Sequence, residues 1–170
     1  MEKRLSTQKI TTNFWFNMQA EEAVNFYLSV FKDGKIGRKT YYGSEGFEFS
    51  GIPEGTVMTI EFMIAGQEFV ALNGGPLFQF TEAISFIVDC KDQKEVDYYW
   101  DKLGEGGDEK AKVCGWLKDK FGVSWQIVPA MLTDMITNPD KAKVASMTKA
   151  MFQMKKLDIA ELEKAFNAGA

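Results

Sequence analysis

The sequence predicts an α+β fold: a strand–helix–strands unit used twice, followed by a helical tail. Three observations predict it. Residues 14–31 and 86–103 match at an offset of 72, pairing Phe14 with Phe86, Val24 with Val96, Asn25 with Asp97, Phe26 with Tyr98, Tyr27 with Tyr99 and Phe31 with Leu103. Each helical stretch lies between alternating, strand-like runs broken by glycine. After Pro129 the chain turns to helix formers and methionine.

Met1–Lys9 carries no period and is expected to be irregular. Ile10–Phe16 is rich in Thr and aromatics and reads as a strand. Asn17 is the expected N-cap of a helix over Ala20–Phe31, whose Ala20, Ala23/Val24, Tyr27 and Val30/Phe31 form one apolar stripe ending before Gly34. Ile36–Tyr42 is a second strand, and Gly43–Gly55 a polar loop. Val57–Ile64 and Glu68–Asn73 form a hairpin around Ala65-Gly66-Gln67, closed by Gly74-Gly75-Pro76. The second pass opens with the strand Ala83–Asp89. Asp92, with Glu95 three residues on, then starts a helix through Leu103. This copy is expected to be shorter, with one strand reduced to Glu109–Lys112. Val113–Leu117 and Val123–Val128 make its hairpin, reversed at Lys118–Gly122. On the second arm Ser124, Gln126 and Val128 share a small, partly polar face that suits a cavity wall. In the tail, Ala130–Thr137 is a short helix, Asn138-Pro139 starts another, and Asp158 with Glu161 starts a third. Met131, Met135, Met147, Met151 and Met154 are expected to pack a core or a subunit contact.

Composition narrows the chemistry. The 170 residues contain no histidine, which removes the commonest general base and metal ligand and any Ser-His-Asp arrangement. A net charge of −4 with scattered Lys and Arg argues against nucleic acid. Cys90 and Cys114 read as buried free thiols. No apolar run reaches the roughly 18 residues of a membrane span, and Met1–Ser6 lacks the apolar run of a secretory signal. A cytoplasmic chain making no membrane contact is therefore expected. No G-x-G-x-x-G follows a strand, so no S-adenosylmethionine site of the Rossmann type is visible. Glu61 is the best general base if it points inward; Asp119 and the pair Glu21-Glu22 are read as turn and helix-start residues.

The segments Ala71–Pro76, Glu82–Phe86, Cys114–Asp119 and Phe121–Pro129 are similar to the PhnB-like branch of the vicinal oxygen chelate superfamily. Members of that branch are often labelled 3-demethylubiquinone-9 3-methyltransferase. The resemblance implies two βαβββ modules, residues 8–76 and 81–130, whose mixed sheets curl into a half-barrel around a pocket. The helical extension 131–170 follows, and a homodimer is expected. Superfamily enzymes hold a metal on the first and last strands of each module. In this chain those positions carry Thr12, Ala71 or Asn73, Ala83 or Ile84, and Gln126. Neutral amides and hydroxyls offer a divalent ion too little charge, so neither a bound metal nor another cofactor is expected. The resemblance thus implies a metal-free ligand site formed by Thr12, Phe14, Phe16, Asn73, Ser85, Trp116 and Gln126, holding a small, partly aromatic or apolar molecule. An enzyme of the same fold (a methyltransferase, isomerase or lyase) is the alternative, and a partner-binding dimer with a filled barrel is the second.

Overall fold

A computed structural model describes residues 8–169; Met1–Thr7 of the expected irregular segment lie outside the described residues. The chain divides into two compact units, one ending at Phe80 and one beginning at Thr81.

In the first unit the order is β1 (Thr12–Phe16), α1 (Ala20–Val30), β2 (Lys35–Tyr41), α2 (Phe47–Ser50), β3 (Val57–Ile64) and β4 (Gln67–Asn73). The sheet runs β1-β4-β3-β2, with β1 parallel to β4 and the other pairs antiparallel. Ala65 and Gly66, at φ 48° and 74°, make a two-residue reversal between β3 and β4, and Gln67, expected in the turn, is the first residue of β4. α1 lies on β3 and β4, and its apolar stripe meets an aromatic core. Tyr27 stacks on Phe62 at 6.1 Å, and Phe62 and Phe14 each lie 5.3 Å from Phe69. Phe80 meets both Phe14 and Phe16 edge-on. Such ring pairs add to the large apolar area each side chain removes from water.

Asn17 does not cap α1. The helix begins after Gln19 without a local side-chain cap, and its Ala20 N–H instead donates to Asn73 Oδ1, 2.9 Å away on β4. Asn73 also donates to the Val57 carbonyl at 3.0 Å. One buried amide thus supplies the missing helix cap and ties it to two strands.

The second unit repeats the plan in reduced form: β5 (Phe86–Cys90), α3 (Gln93–Gly104), β6 (Trp116–Lys118) and β7 (Ser124–Pro129). Its sheet runs β5-β7-β6, with β5 parallel to β7, as β1 is to β4. Residues Glu109–Ala111 form a single 3₁₀ turn rather than the expected reduced strand. The expected arm Val113–Leu117 is also interrupted. Cys114 and Gly115 take φ of 51° and 82°, so only Trp116–Lys118 pairs with β7. A Cβ at Gly115 would lie 3.1 Å from the Ile127 carbonyl oxygen and from Leu157 Cδ1, so this turn needs glycine for room as well as for φ. Asp92 caps α3 by accepting from the Glu95 N–H, while Glu95 accepts from the Lys91 N–H.

Three helices complete this unit: α4 (Leu132–Ile136), α5 (Lys141–Met151) and α6 (Ile159–Ala168). Asp140, not Asn138, caps α5, accepting from the N–H groups of Ala142 and Lys143. Asp158 caps α6 through the Glu161 N–H, as its spacing predicts. The methionines fill the core of this tail: Met135 and Met147 are buried with Leu132, Leu157 and Leu162, and Met131, Met151 and Met154 pack against them. The tail is fastened to the module before it. Cys114 and Gly115 donate their N–H groups to the carbonyls of Met154 and Lys155, and Gln93 bonds both Leu157 and Ile159. No described helix is long and apolar enough to cross a membrane.

Candidate functional site: a cavity in the second unit

In register, neighbouring strands present their paired residues to the same face of a sheet. On β5-β7-β6 one face carries Cys90, Leu117, Trp125 and Ile127, all buried, and α3 packs against these strands through Val96, Trp100 and Leu103. The opposite face carries Ile87 and Asp89 from β5, Gln126 and Val128 from β7, and Trp116 from β6, with Ile87 and Trp116 both paired to Gln126. Part of the tail stands opposite this second face and leaves Ile87 and Asp89 exposed. Between them lies a cavity of about 370 Å³, walled on the sheet side by those five residues and Cys114. Leu132, Thr133, Ile136, Met151, Phe152 and Leu157 wall the tail side. Phe152 and Ile87 remain 63% and 59% exposed, so the cavity opens to solvent between them.

Its polar groups are few. Gln126 Nε2 donates to Ser85 Oγ at 2.9 Å, which orients the amide and leaves its carbonyl oxygen and second N–H for another partner. Asp89 is the sole charged residue in the lining, and Thr133 adds a hydroxyl. Burial pushes the Cys114 thiol above its ordinary range, so it stays protonated at neutral pH.

Of the residues expected from the sequence, Trp116 and Gln126 line this cavity and Ser85 hydrogen-bonds Gln126. Thr12, Phe14, Phe16 and Asn73 belong to the first unit and do not contribute to its lining. Phe14 and Phe16 are 3% and 2% exposed, buried in the aromatic core rather than walling a pocket. Asn73 is spent on Ala20 and Val57. Thr12 alternates onto the same face as Phe14, whereas the repeat offset matches Ser85 to Asn13, one residue further along.

Two acidic candidates are structural. Asp119 accepts from the N–H groups of Phe121 and Val123 and from Trp125 Nε1 at 2.9 Å, holding the β6–β7 turn closed. Glu61 is engaged in a two-pronged ion pair with Arg38. Asp89, Cys114 and the whole tail side of the cavity were not expected from the sequence. The one signal for Asp89 is its place two residues after Ile87 on a strand.

The donor set does not fit a divalent metal. The cavity offers an amide, a hydroxyl, one carboxylate and a protonated thiol. Among the described residues no group of three His, Cys, Asp or Glu side chains converges.

The family model for 3-demethylubiquinone-9 3-methyltransferase matches residues 8–128. Among solved structures, the PhnB protein of Bacillus cereus is 37% identical, with a TM-score of 0.62, and the match covers 72% of this chain and 100% of that one. A Staphylococcus aureus protein is 31% identical over 74% of this chain and 99% of its own, with a TM-score of 0.33. A Pseudomonas aeruginosa protein, 18% identical with a TM-score of 0.54, covers 71% of this chain and 96% of its own and is alike in fold. No curated protein matches. The helices α4–α6 begin after residue 128, where the family match ends. The chain belongs to the 3-demethylubiquinone-9 3-methyltransferase family, a PhnB-like branch of the vicinal oxygen chelate superfamily.

Proposed function

We propose that this chain binds a small, partly apolar molecule in the cavity between the β5-β7-β6 sheet and the C-terminal helices, without a protein-bound divalent metal. The observation that carries this reading is the cavity itself. Its volume of about 370 Å³ lies within the range of small-molecule sites, roughly 300–1,000 Å³, and its mainly apolar wall carries a few polar groups, of which Gln126 is held in place. Trp116 and Phe152 give aromatic surface. Gln126, held by Ser85, gives a hydrogen-bonding amide whose orientation is set before a ligand arrives. The protein is proposed to act in the cytoplasm as a homodimer, which light scattering of the purified chain tests.

The binding test is native mass spectrometry for a co-purified molecule, followed by calorimetry with small aromatic alcohols. Gln126→Leu and Trp116→Ala are each expected to weaken binding at least tenfold while the thermal melt stays cooperative. Unchanged binding in both variants overturns the assignment of the site. A second reading, methyl transfer, is favoured by the family's description. Micromolar binding of S-adenosylmethionine by calorimetry would support it, and no heat of binding at millimolar donor would remove it.

A further inference from the structure

The charge balance of the cavity narrows its ligand, on the reading that the cavity is a binding site. Its lining contains one carboxylate, Asp89, and no lysine or arginine. The neighbouring acids are occupied. Asp92 caps α3, Glu95 pairs with Lys91, and Asp97 pairs with Lys156 at 2.7 Å while accepting from Gln93. Asp89, by contrast, has no hydrogen-bond or ion-pair partner for its side chain among the described residues. It stands on the same sheet face as Ile87 and Val128, and that face continues through Gln126 to Trp116. Asp89 and Trp116 stand on opposite sides of β7, two register positions apart, so the charge rests on Asp89 alone. An exposed carboxylate in a mainly apolar lining supplies counter-charge to an ammonium group while the apolar wall takes the rest of the molecule. An anion would meet that carboxylate with no cation to offset it.

We propose that the cavity takes an organic cation, an aryl- or alkyl-ammonium compound whose apolar body lies against Leu132, Ile136 and Met151 and whose nitrogen pairs with Asp89. The experiment is calorimetry of the full-length chain with three probes of one shape: 3-phenylpropylamine, 3-phenylpropan-1-ol and 3-phenylpropionate. Protection of Cys114 from iodoacetamide serves as a second readout of occupancy, because this thiol lines the cavity. The amine is expected to bind at least tenfold more tightly than the carboxylate, with the alcohol between them. Asp89→Asn is expected to bring the amine to within about twofold of the alcohol. Equal affinity across the three probes, or an amine affinity unchanged in Asp89→Asn, overturns the cation proposal and leaves the cavity as a binding site. If no probe binds or protects Cys114, both the proposal and the reading beneath it fail. The wild-type comparison of the three probes decides the question even if the variant does not fold.

Discussion

The side-chain amide of Gln126, on the central strand of the second sheet, donates to the hydroxyl of Ser85 across 2.9 Å. Gln126 is flanked in register by Ile87 on one side and Trp116 on the other. The bond therefore fixes the one amide at the middle of the cavity's sheet wall. Ser85→Ala frees it. A single partly buried hydrogen bond contributes about 1 kcal/mol, so 3-phenylpropan-1-ol should bind about fivefold more weakly, with a small change in melting temperature. Calorimetry and thermal melts read the two quantities separately.

Asn73 is expected to matter for stability and not for binding. Asn73→Ala leaves the Ala20 N–H and the Val57 carbonyl without their buried partner. Each orphaned group costs about 1–3 kcal/mol, so urea unfolding should show a loss of about 2–6 kcal/mol. Asn73→Asp retains the acceptor for Ala20 but points a carboxylate at the Val57 carbonyl, and should also destabilise.

Asp119 closes the β6–β7 turn with three accepted hydrogen bonds, one from the buried Trp125. Asp119→Ala is expected to cost about 3 kcal/mol in urea unfolding, since hydrogen bonds to a charged group are the stronger kind. Trp125 fluorescence should report a wetter indole.

The two thiols should differ in reactivity. Cys90 is fully buried, and burial first, then the nearby acids Glu95, Asp89 and Asp92, pushes its thiol up to about 12. Cys114 is raised by burial alone. At pH 8 a disulfide reagent should modify Cys114 slowly and Cys90 only after denaturation, as mass spectrometry of the labelled chain would read. A raised thiol pKa favours the folded state below its ordinary value of 9.0, and that contribution is lost as pH rises towards 12. Cys90→Ala should therefore flatten the alkaline limb of the stability curve.

Asp97 is held below its ordinary value of 3.8, chiefly by the hydrogen bond from Lys156 and then by Gln93. A lowered carboxylate stabilises the fold above that ordinary value and stops doing so as pH falls through the lower folded one. Both side chains are well exposed, so the pair is worth less than about 1 kcal/mol. Lys156→Ala should lower the melting temperature slightly at pH 7 and leave it unchanged at pH 2.

Signals local in the chain were legible in the sequence. Asp92 with Glu95, Asp158 with Glu161, and Ala65-Gly66 each act within a few residues, and all three took the structure their spacing dictates. The cap of α1 was not legible, because its acceptor lies 53 residues away on β4. Strand facing was ambiguous in β1, where Phe14, Trp15 and Phe16 are all apolar and polarity cannot set the register. Around Gln126 the alternation was clear, and the shared facing of Gln126 and Val128 could be read from it. The tail's share of the cavity was not legible, since only tertiary packing brings Phe152 opposite a strand.

Leu132, Thr133, Ile136, Met151, Phe152 and Leu157 lie beyond the family's matched core, yet they form one wall of the cavity opposite Ile87, Asp89, Trp116, Gln126 and Val128. The two walls of the cavity are thus coded in separate stretches of chain, joined through Cys114, Gly115 and Gln93. Grafting a different tail of equal length onto those anchor points would reshape the cavity while leaving the inherited scaffold beneath it alone.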